Sequence, residues 1–154
     1  MIKAVAVAAV LTASLGLARA ASAQLRDVRP VTLPGIRYEV LASGPAGGAH
    51  PTRSETVAMR YIGRLSTSEI FSTSAEGGAA ASEFRVRDVI PGMSAALQLM
   101  RPGDRWRISI PAYLAYGALG RRYKSPEEHL RRDIPPDATL VFDVELVGIS
   151  GGGR

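Results

Sequence analysis

The stretch DIPPDATLVFDVELVG, residues 133–148, decides the fold class of this chain. In its second half every other residue is apolar: Leu140, Phe142, Val144 and Leu146. This period of two predicts a β-strand with one buried face and one mostly solvated face. Pro135 and Pro136 lack the N–H groups that a central strand must donate, so we place them in the loop before the strand. The sequence therefore predicts a core strand behind a rigid loop, and such a loop can hold something in position.

Three earlier segments alternate in the same way, and each predicts a short strand. They are residues 35–41, residues 56–65 and residues 106–110. Phe84 and Val86 begin a further short strand. The stretch 66–82 is rich in Ser, Gly and Ala, contains one aromatic residue, Phe71, and predicts no strand.

The period changes between residues 89 and 100, where apolar side chains recur at the spacing of one helix face: Met93, Ala96, Leu97 and Met100. Pro91 is tolerated in the first turn of such a helix, and Pro102 with Gly103 ends it. A single amphipathic helix among short strands predicts an α+β domain. Its curved antiparallel sheet of four to six strands wraps on the helix.

Length and composition fit one domain. A chain of 154 residues can bury a core without disulfides, and it has no cysteine. The formal net charge of +5 comes mostly from arginines scattered along the chain, which indicates a basic soluble surface and no nucleic-acid binding. We assign residues 24–34 to an N-terminal arm, 35–150 to the domain and 151–154 to a flexible tail.

The first 23 residues have the pattern of a signal peptide. Lys3 supplies a positive start, residues 4–17 form an apolar run, and small residues flank Arg19 and end at Ala23. The run suits a signal h-region and is shorter than the roughly 20 residues of a membrane span. We expect cleavage after Ala23 and export to a bacterial periplasm, without a stable membrane anchor. An uncleaved anchor is the alternative.

The sequence contains no recognisable signature of the common catalytic sites, although its residue types leave a Ser-His-Asp arrangement open. The two histidines, His50 and His129, lie in polar stretches, and no cysteine or convincing carboxylate cluster could hold a transition metal. No strained Gly-x-Ser-x-Gly turn is present either. The sequence therefore predicts no metal and no cofactor, and it indicates a function carried by an apolar cavity.

Five segments of the chain, taken in order, match the pattern of one known family. They are RYIGRL, EIFSTS, DVIPGMSAALQLM, IPAYLAYG and IPPDATLVFDVELVGI. Together they resemble the FKBP-type peptidyl-prolyl cis-trans isomerases, in their small exported bacterial form, over residues 35–149. The resemblance implies the FKBP-like fold and isomerisation of X–Pro bonds during folding of exported proteins. It implies proline-containing unfolded or partly folded polypeptides as partners, and the family's macrolides as possible inhibitors.

The same resemblance implies a set of site residues. Those with an expected catalytic role are Tyr61, Phe71, Ile90, Tyr116 and Phe142. Those expected to contact the substrate are Val89, Met93, Ile134 and Ser72. In the family pattern Ile90 offers its backbone N–H to a substrate carbonyl, Tyr116 donates through its hydroxyl, and the two prolines hold Ile134 at the pocket rim.

Three departures from the family pattern bear on activity. Ser72 stands where the family has an aspartate, Met93 where it has a tryptophan, and Ser82 at a position that is often aromatic. They imply a shallower pocket, more polar on one side, and weaker catalysis. The alternative is a non-catalytic peptide-binding or chaperone module with a degenerate pocket.

The loop over residues 118–133 is longer than in a minimal family member. Ser125, Pro126 and Glu128 form a capping box that predicts a short surface helix. That helix either is simply solvated or contacts unfolded chains.

Overall fold

The computed structural model describes residues 32–33, 35–74, 81–123 and 132–151. Seven strands and one helix lie in this part of the chain. The strands are β1 (Thr32–Leu33), β2 (Ile36–Ala42), β3 (Thr56–Leu65), β4 (Ile70–Thr73), β5 (Ser82–Arg85), β6 (Arg105–Ile110) and β7 (Leu140–Ser150). The helix α1 is Pro91–Leu97.

The strands form one antiparallel sheet. Its order is β1-β2-β6-β7-β3-β4, and β5 pairs with β3 outside this path. The centre is the long β3–β7 pair, which runs in register from Thr56 opposite Ser150 to Leu65 opposite Leu140, with one irregularity between Ala58 and Met59. The predicted α+β class, an antiparallel sheet with one helix, is confirmed.

The core lies between the sheet and α1. The alternation in β7 has the predicted consequence: Leu140, Phe142, Val144 and Leu146 are all buried. From the helix, Met93 and Leu97 enter the same core, and Gly92 packs so closely that an added Cβ would lie 2.4 Å from Ile110 Cγ2. Burial of these apolar side chains is the main stabilising contribution to such a domain.

The helix is shorter than the pattern predicts. It ends at Leu97, and the chain continues in tight turns in which Leu99 donates to the Ala96 carbonyl and Met100 to the Leu97 carbonyl. Met100 is still fully buried. The apolar pattern therefore predicted correctly that Met100 is buried, but not that it belongs to the helix. The helix cannot begin earlier than Pro91, because the residue before a proline is disfavoured in the helical region and Ile90 is extended. A separate 3₁₀ turn, Val86–Asp88, precedes it.

Of the other predictions, some agree with the structure, some differ from it, and some concern residues that it does not describe. The strand predicted around Phe84 is β5, but Val86 already belongs to the following turn. Strand β4 lies in the Ser-rich stretch where no strand is predicted. The signal peptide, the capping-box helix from Ser125 and most of the tail fall outside the described residues. Within the described ranges no helix is long and apolar enough to cross a membrane.

Candidate active site

A cavity of about 220 Å³ opens beside the N-terminus of α1. Strands β3, β4, β5 and β7, the helix and the loop after β6 all contribute to its wall. The lining residues are Met59, Tyr61, Phe71, Ser72, Phe84, Asp88, Val89, Ile90, Met93, Tyr116, Arg121, Tyr123 and Phe142. Eight of the nine residues that the resemblance implies are therefore brought together; Ile134 is the exception.

Aromatic rings form the sheet side of the cavity. Phe71 meets Phe142 edge-on, with ring centroids 5.5 Å apart and planes at 88°. Tyr61 lies 6.4 Å from Phe142 and 5.7 Å from Phe84. Edge-to-face geometry is the favoured arrangement of aromatic rings, so the four side chains support one another as a rigid apolar wall.

Gly63 makes room for two of these rings. A Cβ at this position would lie 2.7 Å from Phe71 Cζ and 2.9 Å from Phe142 Cε1. Gly63 lies opposite Phe142 on β7 and opposite Ser72, the residue after Phe71, on β4. The rings of Phe71 and Phe142 therefore both lie beside Gly63. A larger residue there would push the aromatic wall out of place.

Tyr61 is fixed at both ends by the serines and threonine of the β4 segment. Its backbone N–H donates to Ser74 Oγ at 2.9 Å, and its carbonyl accepts from Thr73 Oγ1 at 3.1 Å. Its hydroxyl lies 3.0 Å from Ser72 Oγ, and either group can donate. Ser72 thus partners the tyrosine, as expected of the family's acid at this place, but without charge.

The entry to α1 carries the expected backbone donor. Ile90 is the N-cap, with φ −55° and ψ 147°, and its carbonyl accepts from the Ser94 N–H at 3.0 Å. Among the hydrogen bonds of the described residues, none uses the Ile90 N–H. Since N–H groups at a helix start lack intrahelical acceptors, this group is available to a carbonyl in the cavity.

The loop after β6 contributes two tyrosines and a cation, Arg121. Arg121 forms a two-way backbone bridge with Ile134, with N–O distances of 2.9 Å and 2.8 Å. Its guanidinium carbon lies 5.5 Å from the Tyr116 ring centroid and 4.9 Å from that of Tyr123. Gly120, at φ 63°, allows this bridge, because a Cβ there would meet the Ile134 carbonyl oxygen at 2.2 Å.

One sequence prediction needs correction. Ile134 does not lie at the rim; its side chain is in the core at 2% exposure, because its backbone bridge to Arg121 turns that side chain inward. Ser82, the non-aromatic departure from the family pattern, does not line the cavity. Phe84, two residues further along β5 and therefore on the same face of the strand, lines the cavity instead.

Sequence reasoning also missed Arg121, Tyr123 and Asp88 as cavity residues. All three lie in turns or loops, where no periodicity reports the direction of a side chain. For Phe84 the signal was present, since it is the aromatic residue of β5, but only the register of β5 against β3 places it at the cavity.

A cluster of three charged residues lies away from the cavity. Hydrogen bonding to Arg107, then to Arg64, holds the pKa of the Asp143 carboxyl below its ordinary value. None of these three residues lines the cavity. In the described ranges no cluster of His, Asp or Glu could hold a metal ion. His50 also lies away from the cavity, between the Met100 carbonyl and the Arg101 side chain.

Comparison with known proteins places this geometry in a family. Residues 47–147 match the family described as FKBP-type peptidyl-prolyl cis-trans isomerase. The chain is 40% identical over 115 residues to the FKBP-type 22 kDa peptidyl-prolyl cis-trans isomerase of Escherichia coli K12, covering 75% of this chain and 50% of that protein. It is 38% identical over 120 residues to the outer membrane protein MIP of Legionella longbeachae, covering 77% and 46%.

A solved structure agrees. The peptidyl-prolyl cis-trans isomerase of Pseudomonas syringae pv. tomato DC3000 superposes with a TM-score of 0.64 at 36% identity, covering 77% of each chain. The chain spans about half the length of the curated relatives that it matches.

Proposed function

The chain belongs to the FKBP-type peptidyl-prolyl cis-trans isomerases, and on that basis we propose that it accelerates the isomerisation of X–Pro bonds in polypeptides that are not fully folded. The observation that carries the proposal is the cavity itself. Four aromatic rings form its sheet side, and its lining also includes Ile90, with an unused backbone N–H, and Tyr116.

The reaction suits a site of this kind. Rotation about the amide bond meets a barrier of roughly 18–20 kcal/mol because resonance keeps the bond planar. No covalent bond forms or breaks, so no nucleophile, metal or cofactor is needed. An apolar cavity removes water from the amide, which disfavours its charge-separated planar form. Every ~1.4 kcal/mol of extra binding gained in the twisted state raises the rate about tenfold.

Each residue has a distinct role in this proposal. Phe71 and Phe142 form the aromatic wall against which the proline ring packs, and Met93 forms the floor of the cavity. The Ile90 N–H and the Tyr116 hydroxyl donate to substrate carbonyls. Val89 packs beside them.

Two further residues, Tyr61 and Phe84, complete the aromatic wall. Tyr61 completes the aromatic wall in the orientation set by Ser72, and Phe84 supports Tyr61 from the side. Because these groups are neutral, the reaction should not depend on a titrating acid or base in the cavity.

Export and inhibitor binding belong to the same proposal. The signal-like N-terminus and a relative named as an outer membrane protein support a location outside the cytoplasm, in the bacterial periplasm. There the substrates are newly exported chains containing proline. The cavity also suits the macrolides that family members bind, with Met93 giving them less flat area than an aromatic floor.

One experiment separates catalysis from simple binding. Isomerisation of a fluorogenic proline peptide is followed with the chain lacking its first 23 residues, together with binding of the same peptide by fluorescence anisotropy. We expect a rate above the uncatalysed one. Binding without any acceleration would instead identify a non-catalytic peptide-binding module.

A further inference from the structure

We infer that Arg121 binds an acidic side chain adjacent to the substrate proline, so that the cavity prefers proline peptides carrying an Asp or Glu beside the isomerising bond. This inference rests on the proposed function and specifies its substrate class. Arg121 is the only basic residue in the lining of the cavity described above. Its side chain is exposed, so a peptide entering the cavity can reach it.

The position of Arg121 is set by its main chain. The paired hydrogen bonds to Ile134 fix the backbone, and Gly120 permits the close approach on which they depend. A substitution of the Arg121 side chain therefore leaves the bridge intact. The cation sits beside the cavity as a consequence of the fold and not of its own ion pairs.

The guanidinium group is held by rings. It lies near the faces of Tyr116 and Tyr123, and in the described part of the chain no carboxylate pairs with it. Stacking on aromatic faces orients arginine while leaving its N–H fork free to bind a carboxylate in a bidentate way. By contrast, Arg132 at the end of the same loop pairs with Glu69, and Arg64 and Arg107 share Asp143.

Tyr116 links this cation to the reaction. Its hydroxyl is the proposed donor to a substrate carbonyl, and its ring lies 5.5 Å from the Arg121 guanidinium carbon. Because Tyr116 is proposed to bind a carbonyl near the isomerising bond, a carboxylate bound by the nearby Arg121 should belong to a peptide residue next to the proline. Asp88 lines the cavity as well, and it would repel an acid placed toward α1. The preference should appear on one side of the proline only.

The test compares peptides that differ by one residue. Glu or Gln is placed directly before the proline in one pair and directly after it in another. The wild-type chain should favour Glu over Gln at one of the two positions, by about twofold to fivefold in kcat/KM, the range of a solvated ion pair. The preference should weaken as salt rises. Peptide affinity is measured in parallel, so that the ratio is obtained even if turnover is low.

In Arg121→Gln the ratio of kcat/KM between the Glu and Gln peptides should fall to one. In Arg121→Glu that ratio should fall below one, and a peptide with Lys at the same position should be favoured over the Gln peptide. Arg122→Gln is the matched control, because Arg122 is the exposed neighbour that does not line the cavity; its ratio should equal that of the wild type. A wild-type ratio of one at both positions, or the same ratio in Arg121→Gln, overturns the inference. Absence of turnover on every peptide refutes the proposed function instead, and the affinity ratio then still decides the role of Arg121.

Discussion

The hydroxyl of Tyr61 lies 3.0 Å from the hydroxyl of Ser72, inside the cavity, where the family pattern has a carboxylate. The two residues lie on paired strands, with Gly63 opposite Ser72 in the β3–β4 register. Ser72 is only 7% exposed, and the hydrogen bond is partly buried. It orients a ring of the aromatic wall without placing a charge beside it.

Changing Ser72 should change catalysis more than the fold. Ser72→Ala removes a hydrogen bond of ~1 kcal/mol, which corresponds to about a fivefold loss of kcat/KM if the ring orientation matters in the twisted state. Ser72→Asp restores a charge-assisted bond and should raise kcat/KM by about fivefold to tenfold. Ser72→Asn is the neutral control and should give no gain. Equal activity of the Ala variant and the wild type would show that this bond does not act on the reaction.

Gly63 should tolerate no side chain. Gly63→Ala would push Cβ against Phe71 and Phe142, which should cost about 1–3 kcal/mol of unfolding free energy and lower kcat/KM as the rings separate. Gly148→Ala is a matched control on β7, because a Cβ there meets nothing within 4 Å. Denaturant unfolding and peptide assays of both variants check this. A Gly63→Ala variant as stable and active as Gly148→Ala would contradict the described ring packing.

The floor residue Met93 should set macrolide affinity. Met93→Trp adds a flat ring to the cavity, and an added aromatic contact of roughly 0.5–1.5 kcal/mol should tighten binding about twofold to tenfold. Because Met93 is 2% exposed, the larger ring should also cost stability through overpacking. Calorimetric titration of both proteins with a family macrolide measures the first effect, and thermal unfolding of the free proteins measures the second. Equal affinities would refute the assigned role of Met93.

The Arg64–Asp143–Arg107 cluster should make stability depend on acid pH. Because hydrogen bonds from Arg107 and Arg64 lower the folded-state pKa of Asp143, its contribution is complete above the unfolded value of about 3.9 and is lost as pH falls through the folded pKa. Asp143→Asn should therefore cost about 0.5–1 kcal/mol near neutral pH and almost nothing in strong acid.

Denaturant unfolding of both proteins from neutral to strongly acidic pH measures this difference. Glu145→Gln, which removes the more exposed pair with Arg60, is the control and should change stability less. A wild-type advantage over Asp143→Asn that persists unchanged in strong acid would contradict the assignment.

The strongly alternating elements could be predicted from sequence, and β4 could not. The predicted bounds of β3 are those that it has, and β7 begins where its alternation begins, because in each strand buried residues alternate with partly exposed ones over many residues. Strand β4 is four residues long and holds two buried residues in succession, Phe71 and Ser72. Only its pairing with β3 makes it a strand, and pairing is a tertiary property.

Cavity residues on regular elements could also be predicted from the sequence, and those in loops could not. Tyr61, Phe142 and Met93 lie on regular elements whose buried faces are evident from the sequence, and the resemblance to the family assigned them together. Ile134 was expected at the rim and lies in the core, whereas Arg121, for which no role was predicted, lines the cavity; the backbone bridge between them lies in a loop. No local pattern in the sequence encodes that bridge.

The most direct test of the central claim measures kcat/KM for one proline peptide with the wild type, Phe142→Leu and Tyr38→Leu. Phe142 lines the cavity, whereas Tyr38 stacks on Trp106 with ring centroids 4.2 Å apart and lies outside the cavity lining. Both variants replace a ring by leucine, and the free energy of unfolding of each variant is measured so that a loss of packing is separated from a loss of activity. We predict wild-type isomerisation faster than the uncatalysed rate, a loss of about tenfold or more in Phe142→Leu, and near wild-type activity in folded Tyr38→Leu. Full activity in Phe142→Leu, or no acceleration by the wild type, would contradict the claim that this cavity isomerises X–Pro bonds.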